Sequence, residues 1–417
     1  MKAFPILLIF LSNLAAAQTA GTLAPLTLEE AVMLALDADD PSVQRFEEEA
    51  RALAERAVSE SQLPDPQIGV TMVNLPTSID FNQENMTQFQ TKLRQSFPAG
   101  RTLALRRERR QAESEGARHA ASLQRLQIML DTRLAWLEMR YWRAAQQKIT
   151  ESRDAVVELE AATRADYTSG RGTSQTYLRT RLEISLLDDR LIEARRRHEV
   201  ARADLARYIG AAATARPLPE ASPALKHPED IAALREGLLS HPAIEQAEAR
   251  IEMREREIDI AKQQYKPDWA VEAAYGVRSG NRMVGGRDDF LTFGITFDLP
   301  IFTGKRQDRA VAAAGHDRQT ARLDKDSRLL ELNRLLNRDY ATWTRLGERV
   351  GLYRDAVMAR ASETTEASLT SYASGFTDFA ELIRARLAEL DTELALIRLE
   401  VDRAQAQARL LFLEGDL

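Results

Sequence analysis

The segment Tyr167-Thr-Ser-Gly170, followed by Leu178-Arg179-Thr-Arg181-Leu182, returns 205 positions later as Tyr372-Ala-Ser-Gly375, followed by Ile383-Arg384-Ala-Arg386-Leu387. Upstream, Leu63-Pro64-Asp65 corresponds to Lys266-Pro267-Asp268 in the same order. Phe97-Pro98 with Gly100-Arg101 corresponds to Leu299-Pro300 with Gly304-Lys305. One such pair is chance, but an ordered series at nearly constant spacing is an internal duplication. The chain must fold as two copies of one plan.

Each copy has the same layout. A helical pattern runs from about Leu28 to Gln62, and its counterpart from Asp230 to Gln264, interrupted at Asp40-Pro41 and His241-Pro242. Two short strands follow, flanked by prolines. Very long helical patterns come next, from Arg101 to about Asp166 and from Lys305 to about Ser371, each ended by the Gly170 or Gly375 turn. A further helix then returns to Gly210 or to the C-terminus. The plan is a first repeat over 18–210, a Pro- and Ala-rich linker over 211–228 and a second repeat over 229–417. At ~1.5 Å per residue, an unbroken helix of this length extends ~100 Å. Leu387, Leu390, Leu394, Ile397, Val401, Ala404, Ala408 and Leu411 form a heptad seam that requires a neighbouring helix. Leu187, Leu191, Ala194, Ala201, Leu205 and Tyr208 form a similar one. His198 shares that seam with no histidine at i+3 or i+4, so it reads as a packing residue and not a metal ligand.

Met1 to Ala17 carries a basic start, a short apolar core and Ala15-Ala16-Ala17, the features of a secretory signal cut before Gln18. No stretch approaches the ~20 apolar residues of a membrane-spanning helix, so any crossing must use β-strands. Among 417 residues there is no cysteine, which excludes disulfides, thiolate sites and a lipid-modified N-terminal cysteine. With 57 Lys+Arg against 63 Asp+Glu, interspersed along the chain, a nucleic-acid partner is disfavoured. No metalloprotease, Walker A, nucleophile-elbow or dinucleotide motif occurs, so neither an enzyme nor a cofactor is expected. Met72, Met86 and Met283 form no Met-x-x-Met array and read as packing residues.

The strands are the most informative local signal. Leu291, Phe293, Ile295, Phe297 and Leu299 alternate with Thr292, Gly294, Thr296 and Asp298. Trp269, Val271, Ala273, Tyr275 and Val277 alternate with Ala270, Glu272, Ala274, Gly276 and Arg278. Phe89, Leu93 and Phe97 alternate with polar neighbours, while Ile68 to Leu75 is mixed. Period two gives each strand one apolar and one polar face. Alternation alone also suits a soluble sheet packed on a helix. Export, strands of about ten residues and charges on the polar face point instead to an outer-membrane barrel. Four strands cannot close a barrel, since about eight are needed, and open edges are not tolerated in lipid. Two or three copies must share the barrel.

The duplicated Tyr-x-x-Gly turns with their Leu/Ile-Arg-x-Arg-Leu continuations, and the paired strand hairpins, resemble the TolC family of outer-membrane efflux proteins across the whole mature chain. Leu63-Pro-Asp-Pro-Gln-Ile-Gly-Val70, Asn74-Leu-Pro76, Gln95-Ser-Phe-Pro98 and Tyr167-Thr-Ser-Gly-Arg-Gly-Thr-Ser-Gln175 resemble its heavy-metal efflux branch. The resemblance implies a mainly α fold with a small antiparallel β part. It would form a homotrimer with one twelve-stranded transmembrane barrel and an α-helical barrel crossing the periplasm, residues 211–228 lying at its equator. It further implies an outer-membrane location and work with a periplasmic adaptor and an inner-membrane pump of RND type, exporting metal cations or small toxic compounds.

By the same resemblance, the tips at Tyr167, Gly170, Tyr372 and Gly375 dock the adaptor. An acidic ring above the tip falls on Glu381, with Thr176 in the matching position of the first copy. Where many relatives have a second acid this chain has Arg384, matched by Arg179, so a single Glu381 ring held by arginines is the expected gate. The alternatives are that the glycines only cap helices, that Glu381 and Arg384 are an ordinary solvated pair, and that the protein is an exported coiled-coil adaptor without a pore. Trp269, Val271, Tyr275, Leu291, Phe293, Ile295, Phe297 and Leu299 are the expected lipid-facing residues.

Overall fold

The computed structural model describes residues 24–81, 83–170, 173–278 and 288–415. The expected signal segment and Met283 lie outside the described residues. The chain forms α1 (Leu28–Asp37), α2 (Pro41–Ser59), β1 (Gln67–Val73), β2 (Gln88–Phe97), α3 (Thr102–Thr168) and α4 (Ser174–Thr214). The second half forms α5 (Ile231–Gly237), α6 (Pro242–Gln263), β3 (Asp268–Arg278), β4 (Phe290–Asp298), α7 (Gln307–Leu352), α8 (Met358–Ala373) and α9 (Phe379–Glu414). The fold is mainly α with one small antiparallel sheet. No described helix is long and apolar enough to cross a membrane.

Local chemistry sets the helix starts. Thr27 caps α1 by accepting the Glu30 N–H, and Asp40 caps α2 by accepting the Ser42 N–H at 2.8 Å, with Pro41 in the first turn. His241 plays the corresponding part for α6, ahead of Pro242. Its Nδ1 accepts the Ala243 N–H at 3.2 Å and its Nε2–H donates to the Phe412 carbonyl at 3.2 Å. Burial pushes the His241 pKa down, which suits the neutral ring these bonds require. Gly210, at φ +81°, bends α4 close to its end.

The helices pack around α3. At the strand-proximal end α3 packs between α2 and α6; towards the other end it packs between α4 and α9, while α7 lies against α6 and α9. Three large buried clusters sit along these helices. Near the middle, Trp136, Leu137, Leu205 and Val401 enclose Leu26, whose carbonyl accepts the Trp136 Nε1–H at 3.1 Å. The Leu26 N–H in turn donates to Pro217 O at 2.8 Å, and Arg216 clamps Glu30, so the inter-repeat linker is fastened to the start of α1. A second cluster joins Leu238, Ile244, Leu332, Leu336 and Leu410. The third joins Val156, Leu187, Phe379, Ile383 and Leu390. Leu390, Val401, Ala408 and Leu411 of the heptad seam are buried.

One departure separates the repeats. α3 runs 67 residues without a break, but the expected helix from Lys305 to Ser371 is interrupted by a π turn at Tyr353–Val357. There the Met358 N–H donates to Tyr353 O, five residues back, and the displaced turn sends Arg354 to Glu400 of α9.

Candidate functional site

The sheet order is β1-β2-β3-β4, every pair antiparallel, with β2 of the first repeat hydrogen-bonded along its length to β3 of the second. The register aligns side chains into rows on one face: Phe97–Trp269–Phe297, then Gln95–Val271–Ile295, then Ile68–Leu93–Ala273–Phe293, then Val70–Thr91–Tyr275–Leu291, then Met72–Phe89–Val277. Thus β1, which reads as mixed in sequence, puts Ile68, Val70 and Met72 on the apolar face and Gly69 and Thr71 on the other. Trp269, Val271, Tyr275, Leu291, Phe293, Ile295 and Phe297 are exposed, Phe293 by 75%, and Leu299 is exposed just beyond β4. A contiguous apolar surface of this kind marks an interaction face. Aromatics sit near both ends, with Phe97 stacked on Trp269 at 4.2 Å, and from Phe97 to Phe89 the strand rises ~27 Å at ~3.4 Å per residue.

The opposite face is polar. Lys92 and Glu272 approach to 3.9 Å across β2 and β3, and Arg94, Gln90 and Asp298 share that side. Lys92 also lies against Gly69, where an added Cβ would sit 2.9 Å from its Cε. β1 and β4 are both edge strands, each with one unpaired side.

At the far end of the helices the two repeats build matching reversals. Gly170 and Gly375 adopt φ +75° and +76°, the left-handed conformation that ends a helix most easily without a Cβ. The Gly170 N–H donates to Tyr167 O at 3.1 Å and the Gly375 N–H to Tyr372 O at 3.0 Å, while the Phe376 N–H closes back to Ser371 O at 2.9 Å. Thr173 and Asp378, 205 positions apart, then cap α4 and α9 by accepting the Thr176 and Glu381 N–H groups at 3.2 and 2.9 Å. Tyr167 stacks parallel to Tyr177 at 6.0 Å, and Tyr372 meets Phe379 edge-on at 5.7 Å. Burial raises the Tyr372 pKa, and the nearby Asp166 carboxylate adds to it, placing the end of α3 beside the end of α8. Phe376 projects from the second tip 89% exposed. It escapes the sequence pattern because the first copy has no aromatic residue in the matching place.

Glu381 and Arg384 stand one turn apart on α9, both exposed, with the guanidinium 2.8 Å from the carboxylate. Arg179 is exposed on α4, and Thr176 is half-buried, its Oγ1 3.0 Å from Thr173 Oγ1. Within one subunit, then, Glu381 is answered by Arg384. Among the described residues no group of His, Cys, Asp or Glu has metal-site geometry.

Solved structures with this fold cover nearly the whole chain. A membrane protein from Pseudomonas aeruginosa superposes with TM-score 0.81 at 16% identity, over 93% of this chain and 90% of its own. CusC, studied for folding and transmembrane channel formation, gives TM-score 0.78 at 15% identity, over 97% and 96%. The outer membrane protein VceC from Vibrio cholerae gives 0.76 at 16% identity, over 93% and 96%. No curated protein matches by sequence. Residues 233–416, which hold nearly all of the second repeat, match the family described as Outer membrane efflux protein. With that family's sequence pattern across its second repeat and this fold across almost its whole length, the chain is similar to the outer-membrane efflux channels, which are conduits and not enzymes.

Proposed function

We propose that the protein is the outer-membrane channel of a tripartite efflux system, acting as a homotrimer. The observation that carries this reading is the four-stranded sheet: one face apolar and exposed, the other charged, and both edges open. In lipid each open edge leaves backbone groups without partners, a cost of several kcal/mol per group, so β4 of one subunit pairs with β1 of the next. Three copies give twelve strands around a wide, water-filled lumen lined by Lys92, Arg94, Glu272 and Asp298. The helices repeat the logic. α4 leaves Leu178, Leu182, Leu186 and Ile192 exposed and α7 leaves Leu323 and Leu330 exposed, apolar surface that neighbouring subunits would cover.

The strand barrel sits in the outer membrane with Trp269, Val271, Tyr275, Leu291, Phe293, Ile295, Phe297 and Leu299 against lipid, and the helices extend through the periplasm. A lumen of this width filters little, so control falls to the helix tips, where Glu381 repeats in a ring and Arg384 and Arg179 set its charge. The tip surface around Tyr167, Gly170, Tyr372, Gly375 and Phe376 meets a periplasmic adaptor, which couples the channel to an inner-membrane pump of RND type. Cargo is metal cations or small toxic compounds, the heavy-metal assignment being supported by sequence motifs such as Leu63-Pro-Asp-Pro. The test is fractionation and electrophoresis: heat-modifiable trimers in the outer-membrane fraction that conduct in planar bilayers support the channel. A soluble periplasmic monomer would mean an exported coiled-coil protein instead.

A further inference from the structure

At mid-height of the helical layer, a cavity of about 130 Å³ lies between the linker and the two repeats, lined among others by Arg140, Ser222, Arg354, Glu400, Arg403 and Gln407. Among its described lining residues are three arginines and one carboxylate. Arg354 and Glu400 answer each other, with the Nε–Oε1 distance at 3.0 Å. Arg140 of α3 has no carboxylate partner among the described residues; it donates to Glu220 O at 3.0 Å and lies 3.3 Å from Ser222 Oγ. Burial lowers its pKa, and Glu400 opposes that only through space. Arg403 of α9 also lines the cavity, with its guanidinium 5.4 Å from the Trp343 ring centroid.

A partly buried guanidinium such as that of Arg140, with no carboxylate in direct contact, is costly, because a desolvated charge is repaid only by a partner and satisfied hydrogen bonds. The planar fork of arginine matches oxyanions, which accept several charge-assisted hydrogen bonds at once. A single water requires only ~10–15 Å³ by a comparable measure, so the cavity accepts a four-oxygen ion. We infer that this equatorial cavity is a binding site for a small tetrahedral oxyanion of the phosphate or sulfate class, held chiefly by Arg140 and Arg403. The bound ion braces α3 of the first repeat, α9 of the second and the linker at Ser222.

The test is thermal melting of the purified full chain in detergent, with inorganic phosphate or sulfate replacing chloride at constant ionic strength. The melting temperature rises saturably with either anion. In R140Q and R403Q the saturable rise is lost, whatever the melting temperature in chloride. R51Q, on a distant exposed surface, responds as wild type. Glu400→Gln removes the one carboxylate among the described lining residues, so half-saturation falls to a several-fold lower anion concentration. A wild-type curve indistinguishable from chloride overturns the site, and so does an undiminished response in both arginine variants. Should those variants fail to assemble, an unchanged or weakened response in Glu400→Gln overturns it alone.

Discussion

Phe97 ends the last strand of the first repeat and Trp269 stands second in the first strand of the second, and their rings stack 4.2 Å apart at an interplanar angle of 14°. They are direct partners in the β2–β3 register, 172 positions apart in sequence. This pair pins the seam between the repeats at the strand end nearest the helices, where Asp268 also accepts the Ala99 N–H.

Removing either ring is expected to loosen that seam. Trp269→Ala and Phe97→Ala each lower the temperature at which detergent-solubilised trimers dissociate on gels, and Trp269→Phe restores most of the loss. In a double-mutant cycle the coupling is about 0.5–1.5 kcal/mol, the range for aromatic pairs beyond simple burial. Additive effects would mean that the rings contribute only to the lipid-facing surface.

The Glu381–Arg384 pair bears on gating. Both side chains are more than half exposed, so the pair adds little to stability, and the effect of removing it should appear in conductance. The combined change Glu381→Ala and Arg384→Ala is expected to raise single-channel conductance in planar bilayers while trimers persist. Unchanged conductance with unchanged sensitivity to added divalent cations would leave the pair as a solvated surface contact.

How far these features can be read from sequence depends on their range. The strands and the duplicated turns are local: period-two alternation marks a sheet face within ten residues, and a glycine after a long helical pattern marks a left-handed end. β1 is less legible because Gly69 breaks its alternation; only the pairing of Ile68 with Leu93 and Val70 with Thr91 assigns its faces. The π turn at Tyr353–Val357 has no proline to announce it, and Gly347 and Gly351 just before it weaken the helix without fixing where its register slips. The equatorial arginines are invisible for another reason: Arg140, Ser222 and Arg403 lie far apart in sequence, and arginine is common along every helix. The pairing of Glu381 with Arg384 needs no tertiary knowledge, but its place in an assembled ring does.

Gly375 separates turn geometry from docking. An added Cβ would meet nothing within 4 Å, so a substitution there is strained only by φ +76°. A β-branched residue in that conformation costs on the order of 1–2 kcal/mol, too little to unfold a long helical hairpin held by Phe379 and Ile383. Gly375→Val is therefore expected to leave trimers intact and to weaken cross-linking to the adaptor by deforming the surface around Phe376. Cross-linking at the wild-type level would show that the glycine only ends α8.

Asp40 provides a pH-dependent test of the helical layer. Its carboxylate is almost fully buried, caps α2, accepts from Ser42 Oγ at 2.6 Å and lies 2.6 Å from Arg207 Nη1. Chiefly the Arg207 hydrogen bond, against the opposing effect of burial, holds its pKa at about 2. The folded value lies below the ordinary carboxylate value of ~3.9. The associated stability is thus complete above about pH 4 and is lost as pH falls towards 2. Because Arg207 is half exposed, solvent weakens the ionic part, and the larger loss in Asp40→Ala is that of the cap, about 1–2 kcal/mol. Thermal melts should show the wild type more stable than Asp40→Ala at pH 7, with the gap narrowing between pH 4 and 2. A gap independent of pH across that interval would mean that the carboxylate charge contributes nothing and that the cap geometry accounts for the whole effect.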